Sequence, residues 1–289
     1  MPGGTYYRTY TNDGDGGTGL VAPATVSGFR LDKYVVTVGR FRQYIDYLVG
    51  GGSPPANGAG KHSHLNEGQG LASGAAPAGF ETGWSATDWN GDISIGPSAP
   101  AIWNTNLATC APYSTWTPAP GTQENLPIDC VDWYQAYAFC VWDGGFLPSE
   151  AEWEFAAAGG GDQREYPWGA TDPGTNNEYA IYGCHYGSGG TDACTGVNNL
   201  APVGTAAMGD GVWGQLDMAG EVWQWNLDWY GPYAGPCADC ANLAAAEYRV
   251  IRGGSFSTGA LDLGPAFRSN NSHPFDLTIG NGFRCARPP

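Results

Sequence analysis

The side chains in this chain that could do redox, metal-binding or acid–base chemistry are its cysteines, its few histidines and its many acids. Cys110, Cys130, Cys140, Cys184, Cys194, Cys237, Cys240 and Cys285 form an even set of eight. They show neither the repeated CxxC pairs nor the His-rich spacing of a zinc site. The one CxxC, Cys237-Ala-Asp-Cys240, has the spacing of a redox or copper site, or of a small structural loop closed by a disulfide. Thioredoxin-like reactivity needs a helix N-terminus to lower the thiol pKa, and Gly235-Pro236 does not supply one. Cys184 and Cys194 flank a Gly/Ser-rich loop, as a local disulfide would, and Cys110 and Cys130 bracket a Pro-rich one. Eight cysteines allow about 105 pairings, so spacing alone leaves the connectivity open. His62 and His64 could chelate a metal, but Lys61-His-Ser-His64 reads as a solvated loop; His185 and His273 stand alone. No G-x-S-x-G elbow is present to present a nucleophilic serine.

These groups must be positioned by a chain rich in turn formers, with 46 glycines that disfavour helix and strand interiors. Residues 1–28 read as extended, with a first strand at Thr5-Tyr-Tyr-Arg8, and 29–38 as a β-branched, aromatic strand. A helix is expected over 38–48, with Phe41, Ile45 and Leu48 on one face. Residues 49–125 read mostly as loop, either disordered or forming a ligand-facing surface held by Trp84, Trp89, Trp103 and Trp116. A second amphipathic helix is expected over 132–143, with Trp133, Ala136, Tyr137 and Cys140 as its buried stripe. Ser149 and Glu152 form a capping box that starts a third helix, ended near Ala158 by Gly159-Gly-Gly161. Short strands and turns follow at 166–168, 214–225, 248–253 and 282–286. Neither a repeat nor a linker divides the chain, so one domain over 1–289 is expected.

The formal net charge is −16, and Lys33 and Lys61 are the only lysines. Such a surface repels phosphate backbones and anionic lipid, which argues against nucleic-acid and membrane-surface binding. It suits cations, basic partners or neutral glycans. Apolar runs are too short to span a bilayer. Met1-Pro-Gly-Gly lacks the basic and apolar regions of a signal peptide, whereas four cystines would require an oxidising, extracellular or periplasmic setting.

Gly214-Gln-Leu-Asp-Met-Ala-Gly-Glu-Val-Trp-Gln-Trp-Asn-Leu-Asp-Trp229, Arg252-Gly-Gly-Ser-Phe256 and Asn281-Gly-Phe-Arg-Cys285 together resemble the signature of the formylglycine-generating enzyme (sulfatase-modifying factor) family. Leu31-Asp-Lys-Tyr-Val-Val-Thr-Val-Gly-Arg-Phe-Arg42, Pro127-Ile-Asp-Cys-Val-Asp-Trp-Tyr-Gln-Ala-Tyr-Ala-Phe-Cys140 and Tyr166-Pro-Trp-Gly169 match further family elements in order. So does Asp143-Gly-Gly-Phe-Leu-Pro-Ser-Glu-Ala-Glu-Trp-Glu-Phe-Ala-Ala157, with Phe146 where arginine is usual. The resemblance covers nearly the whole chain. It implies an α+β, compact, irregular fold related to C-type lectins, with little regular secondary structure. It also implies a disulfide from Cys140 to Cys285, and the pairing expected is 110–130, 140–285, 184–194 and 237–240. Within these motifs Trp153, Trp223, Trp225 and Trp229 read as core and loop anchors. Arg252 and Arg284 read as partners for buried carboxylates such as Glu150 or Glu152.

The resemblance further implies calcium, with Asp217 and Gln224 supplying side-chain oxygens and Gly220 and Val222 their carbonyls. A second family calcium site is expected to be lost or altered, because Ala180 stands where an asparagine ligand is usual. The catalytic cysteine pair of the family binds copper(I), a soft ion that needs soft thiolates. In the matching window Thr258 and Leu263 stand near the cysteine positions, so neither copper nor a catalytic residue of that kind is expected. Two functions follow. One is a secreted, non-catalytic, calcium-stabilised module that binds a protein or glycan through Ser257, Thr258, Asp262, Asn270, Asn271, His273, Phe275 and Asp276. The other is a diverged oxidoreductase or protein-modifying enzyme that uses a different metal or residue set.

Overall fold

The computed structural model describes residues 1–12, 17–189, 191–233 and 235–289. Residues 13–16, inside the expected extended segment, lie outside the described residues. Strands β1 (Gly4–Thr11) and β2 (Thr18–Val26) pair antiparallel, from Gly4 opposite Val26 to Thr11 opposite Thr18. The expected strand over 29–38 is only β3 (Arg30–Leu31), paired with the C-terminus. Beyond it Val36 bridges two unlike neighbours: its N–H donates to Phe283 O, and its carbonyl accepts from Ile128 N. No single partner strand runs alongside it, so no ladder forms.

Helix α1 (Val38–Val49) is capped by Thr37, whose hydroxyl accepts from Arg40 N–H. It buries Val38, Phe41, Ile45 and Leu48 at helical spacing. The segment 49–125 holds β4 (Ala72–Ser73), α2 (Ala86–Trp89) and α3 (Ala99–Leu107), more structure than a loop reading allows. Helix α3 buries only Ala99, Trp103 and Leu107, one residue per turn. Its Trp103 meets Phe41 edge to face at 5.8 Å. The tryptophans do anchor this region. Trp84, Trp103 and Trp116 donate their indole N–H groups to Asn90, Ser94 and Asn104, and Trp89 packs against Trp84 and Trp133.

Helix α4 (Trp133–Trp142) opens on a capping box between Asp132 and Gln135 and is buried on most of its faces. Helix α5 (Glu150–Ala158) opens on the Ser149–Glu152 box and ends at Gly159, whose left-handed φ of 69° closes the helix. All nine of its residues are buried, Glu150, Glu152 and Glu154 among them. Three buried acids on one helix would be untenable without partners, and those partners define much of the fold.

Strand β5 (Trp223–Trp229) is the buried centre of a three-stranded sheet. Short strands β6 (Cys237–Ala238) and β7 (Cys240–Ala241) lie against β2 and β4. β8 (Arg249–Arg252) pairs antiparallel with β5, β9 (Asn281–Gly282) pairs parallel with its other edge, and β10 (Ala286–Arg287) pairs with β3. Four disulfides form, at Cys110–Cys130, Cys140–Cys285, Cys184–Cys194 and Cys237–Cys240, and no cysteine is free. This is the pairing expected from the sequence. No helix among the described residues is long and apolar enough to cross a membrane.

Candidate functional site

The long connection from β8 to β9 leaves one edge of the central sheet and returns to the other. At its start Gly253 has a φ of 94°, and a Cβ there would lie 2.6 Å from Met218 O, so only glycine fits. At its end Gly280 lies beside Ser255 and accepts from Trp223 N–H. Both halves of the connection are therefore pinned next to one another, on either side of β5.

The first half turns its chemistry inward. Phe256 is fully buried among Val35, Ile181 and Val222. Thr258, near one family cysteine position, has its hydroxyl locked in a turn: it accepts from Ser255 N–H at 2.9 Å and donates to Ser255 O at 3.2 Å. Leu263, near the other, is 0 % exposed and packs with Ala180, Tyr182 and Ala219. The two positions hold a hydroxyl with its hydrogen bonds made and a buried alkyl group. Ser257, Gly259 and Leu261 face solvent in this half, and Thr258, Ala260 and Asp262 do so in part.

The second half faces outward. Asn270, Asn271 and Phe275 are exposed, while His273 and Asp276 are half-exposed. His273 and Asp276 are tied by a backbone N–H bond of 2.8 Å and a ring contact of 3.1 Å. That contact raises the His273 pKa, against a smaller effect of burial. The His273 ring lies between Tyr248 and Phe275, at 4.7 and 5.2 Å. Leu261 and Phe275 are 89 % and 64 % exposed. The eight residues expected to contact a ligand thus all lie on this one connection and all reach the surface.

Beneath it is a buried charge cluster. Arg252 donates to Glu150 at 3.0 Å and to Glu154 at 2.5 Å, and Arg268 binds both oxygens of Glu150 at 2.7 Å. Burial pushes the Glu154 carboxyl up and Arg252 only partly offsets this, whereas for Glu150 the two arginines outweigh burial and hold the pKa down. Arg252 also donates to the carbonyls of Pro265 and Phe267, so the cluster holds the connection itself. The sequence pointed to Arg252 and Glu150. It missed Glu154, Arg268 and the Tyr233 hydroxyl that closes the network. The i, i+4 spacing of Glu150 and Glu154 was the available signal.

Among the described residues Arg284 forms no ion pair with a carboxylate. It donates to the carbonyls of Asp32, Leu216 and Asp217 and to Gln224 Oε1. This bears on the expected calcium ligands. The Gln224 amide oxygen accepts from both Trp153 Nε1 and Arg284 Nε at 2.7 Å, so it has no lone pair left for an ion. Asp217 accepts from Gly204 N–H. Glu221, which the sequence did not single out, is buried beside it: one oxygen accepts from Ala201 N–H and the other has no partner. Burial and then Asp217 raise its pKa well above the ordinary carboxylate range. At the second family calcium position Ala180 is buried and the Cys184–Cys194 disulfide closes the following loop.

The Lys61–His64 segment is not a solvated loop. His62 is fully buried, with Nδ1 3.0 Å from Glu81, Nε2 3.1 Å from Glu152 and its backbone N–H also donating to Glu81. Its ring lies 3.7 Å from that of Phe146. Two acids distant in sequence draw it in, which local composition could not reveal. Another acid group, Asp32 and Asp143 beside Cys285, is neutralised by Arg40 and Arg287, and its cysteine is in a disulfide.

The geometry and signatures agree with comparison to known proteins. The model of the sulfatase-modifying factor enzyme 1-like domain family matches residues 1–289, and the chain belongs to this family. It is 31 % identical over 319 residues to a formylglycine-generating enzyme of Thermomonospora curvata, covering 100 % of this chain and 92 % of that one. It is 31 % identical over 211 residues to a hercynine oxygenase of Mycobacterium tuberculosis, covering 70 % of this chain and 46 % of that protein. The chain spans about half the length of the hercynine oxygenases it matches. An inactive Cα-formylglycine-generating enzyme 2 of Mus musculus is 26 % identical over 99 % of this chain and 84 % of that one. The fold is shared with PvdO from Pseudomonas aeruginosa, with a TM-score of 0.57, 21 % identity and coverage of 100 % and 93 %.

Proposed function

We propose that this chain is a binding member of the sulfatase-modifying factor family, which takes a protein or glycan ligand on the β8–β9 connection and does not run copper–thiolate chemistry. The observation that carries this reading is the split within that connection. At the family's cysteine positions the Thr258 hydroxyl is engaged in a turn and Leu263 is buried, while Ser257, Leu261, Asn270, Asn271 and Phe275 face solvent. Exposed aromatic and aliphatic anchors among Asn and Ser donors are what an adaptable binding face uses. The existence of an inactive formylglycine-generating enzyme among the relatives supports it further. The disulfides fit an extracellular or periplasmic protein.

Calcium is part of this proposal in altered form. The carboxylates of Asp217 and Glu221, and not Gln224, are the side chains that would hold it, with the carbonyls of Gly220 and Val222 on the same turn. The unpartnered, buried Glu221 oxygen supports this.

A second reading, a diverged oxidoreductase with another metal, is favoured by the likeness to hercynine oxygenases. Assay of native protein for free thiols and bound metals separates the two: a stoichiometric redox metal favours the enzyme. The binding proposal is tested on glycan and protein arrays with the intact chain and a variant whose 257–281 segment is replaced. Binding that requires the segment supports it, and binding that survives the replacement contradicts it.

A further inference from the structure

A cavity of about 410 Å³ has no lining residue within 257–281 of the β8–β9 connection. Phe80, Trp89, Trp133, Tyr137 and Trp229 form its apolar walls, with Arg249 among them. Its size falls in the range of small-molecule sites, roughly 300–1,000 Å³. The Arg249 guanidinium is held between two indoles, 3.6 Å from the ring centres of both Trp133 and Trp229. Such stacking stabilises a desolvated cation and fixes the plane of the fork.

What distinguishes Arg249 is what it lacks. It is 5 % exposed, yet no carboxylate lies within ion-pair distance among the described residues. Nη1 donates to Leu227 O at 2.6 Å, while Nε is buried without a partner. Arg252 and Arg284, equally buried, fill their forks with carboxylates, carbonyls and Gln224. Burial lowers the Arg249 pKa to about 9, against smaller opposing effects of Tyr134, Asp228 and Tyr137. Glu81, the acid at the cavity wall, is already engaged with His62. A buried, oriented, uncompensated guanidinium beside an aromatic cavity is the arrangement that recognises a carboxylate, whose two oxygens match the planar fork.

We propose that this cavity binds a small carboxylate whose flat apolar body lies against the tryptophan and phenylalanine walls and whose carboxylate is taken by Arg249. The carboxylate is either that of a free aromatic acid or that of a peptide ending in an aromatic residue. The test is titration of the full chain, followed by tryptophan fluorescence and calorimetry, with indole-3-acetate, indole-3-acetamide, and Gly-Gly-Gly-Phe with a free or amidated C-terminus. The acids are expected to bind at least about tenfold more tightly than their amides, the factor one charge-assisted hydrogen bond supplies. Whichever acid binds more tightly identifies the source. Arg249→Gln is expected to abolish the preference for acid over amide. Should that variant fold poorly, Ala245→Trp, at an exposed position on the cavity wall, is expected to block the acids with an unchanged thermal midpoint. Amides that bind as tightly as acids, acids weaker than about 1 mM, or acid binding that persists in Ala245→Trp would each overturn the proposal.

Discussion

Arg252 Nη2 and Glu154 Oε2 lie 2.5 Å apart, and neither side chain is exposed to solvent. The same guanidinium reaches Glu150, so one arginine bridges two acids of helix α5 and holds the start of the β8–β9 connection on the core. Removing one partner of a buried pair costs about 3–5 kcal/mol, because it leaves uncompensated charge. Arg252→Met is expected to destabilise the chain by at least that much in chemical denaturation. Arg268→Met, at a partly exposed position that pairs with Glu150 and not Glu154, is expected to cost less. Equal losses would show that the cluster does not centre on Arg252.

The His62 imidazolium between Glu81 and Glu152 makes stability depend on pH in a defined direction. Burial alone would lower the His62 pKa, but Glu152 and Glu81 outweigh it and raise it to about 10. A group whose folded pKa is raised stabilises fully below its unfolded value, about 6.5, and loses that contribution as pH climbs to the folded value. The stability advantage of the native chain over His62→Gln is therefore expected to be largest below about pH 6.5, and to shrink between about pH 6.5 and 10. Denaturant midpoints of the two proteins across that range check it. An advantage that grows with pH would show His62 to be neutral in the fold.

Calcium should act through Asp217 and Glu221. Both carboxylates are buried and raised in pKa, Asp217 to about 6, burial being the first cause in each. Binding of a divalent ion would displace their protons. Added calcium is expected to raise the thermal midpoint and release protons, both effects being lost in Glu221→Gln. Gln224→Glu should disturb the fold instead, because it changes the acceptor shared by Trp153 and Arg284. A calcium response that survives Glu221→Gln would place the ion elsewhere.

Much of this was legible in the sequence where the cause is local. Ser149 with Glu152 announced helix α5 because a capping box needs only neighbours, and the stripe of Trp133, Ala136, Tyr137 and Cys140 announced helix α4. The phenylalanine and isoleucine spacing in α1 was equally plain. Helix α3 was not legible: it carries Pro100, Asn104 and Asn106 in a Gly/Pro-rich region and buries only three residues, so it depends on packing against α1. His62 misled for the same reason, since Glu81 and Glu152 lie 19 and 90 residues away along the chain. The proposed ligand face stands out as one segment because it hangs from the family's Arg252-Gly-Gly motif. Its sorting into a closed half and an open half was not, because the burial of Leu263 depends on Ala180, Tyr182 and Ala219.

The most direct test is an aldehyde assay. The native chain is loaded with copper(I) and incubated in air with a CxPxR sulfatase peptide, and aldehyde is read by mass spectrometry after hydrazide capture. With every cysteine in a disulfide, and with Thr258 and Leu263 at the family's thiolate positions, the account predicts no aldehyde above a copper-only control. Aldehyde formed in repeated turnovers would contradict it.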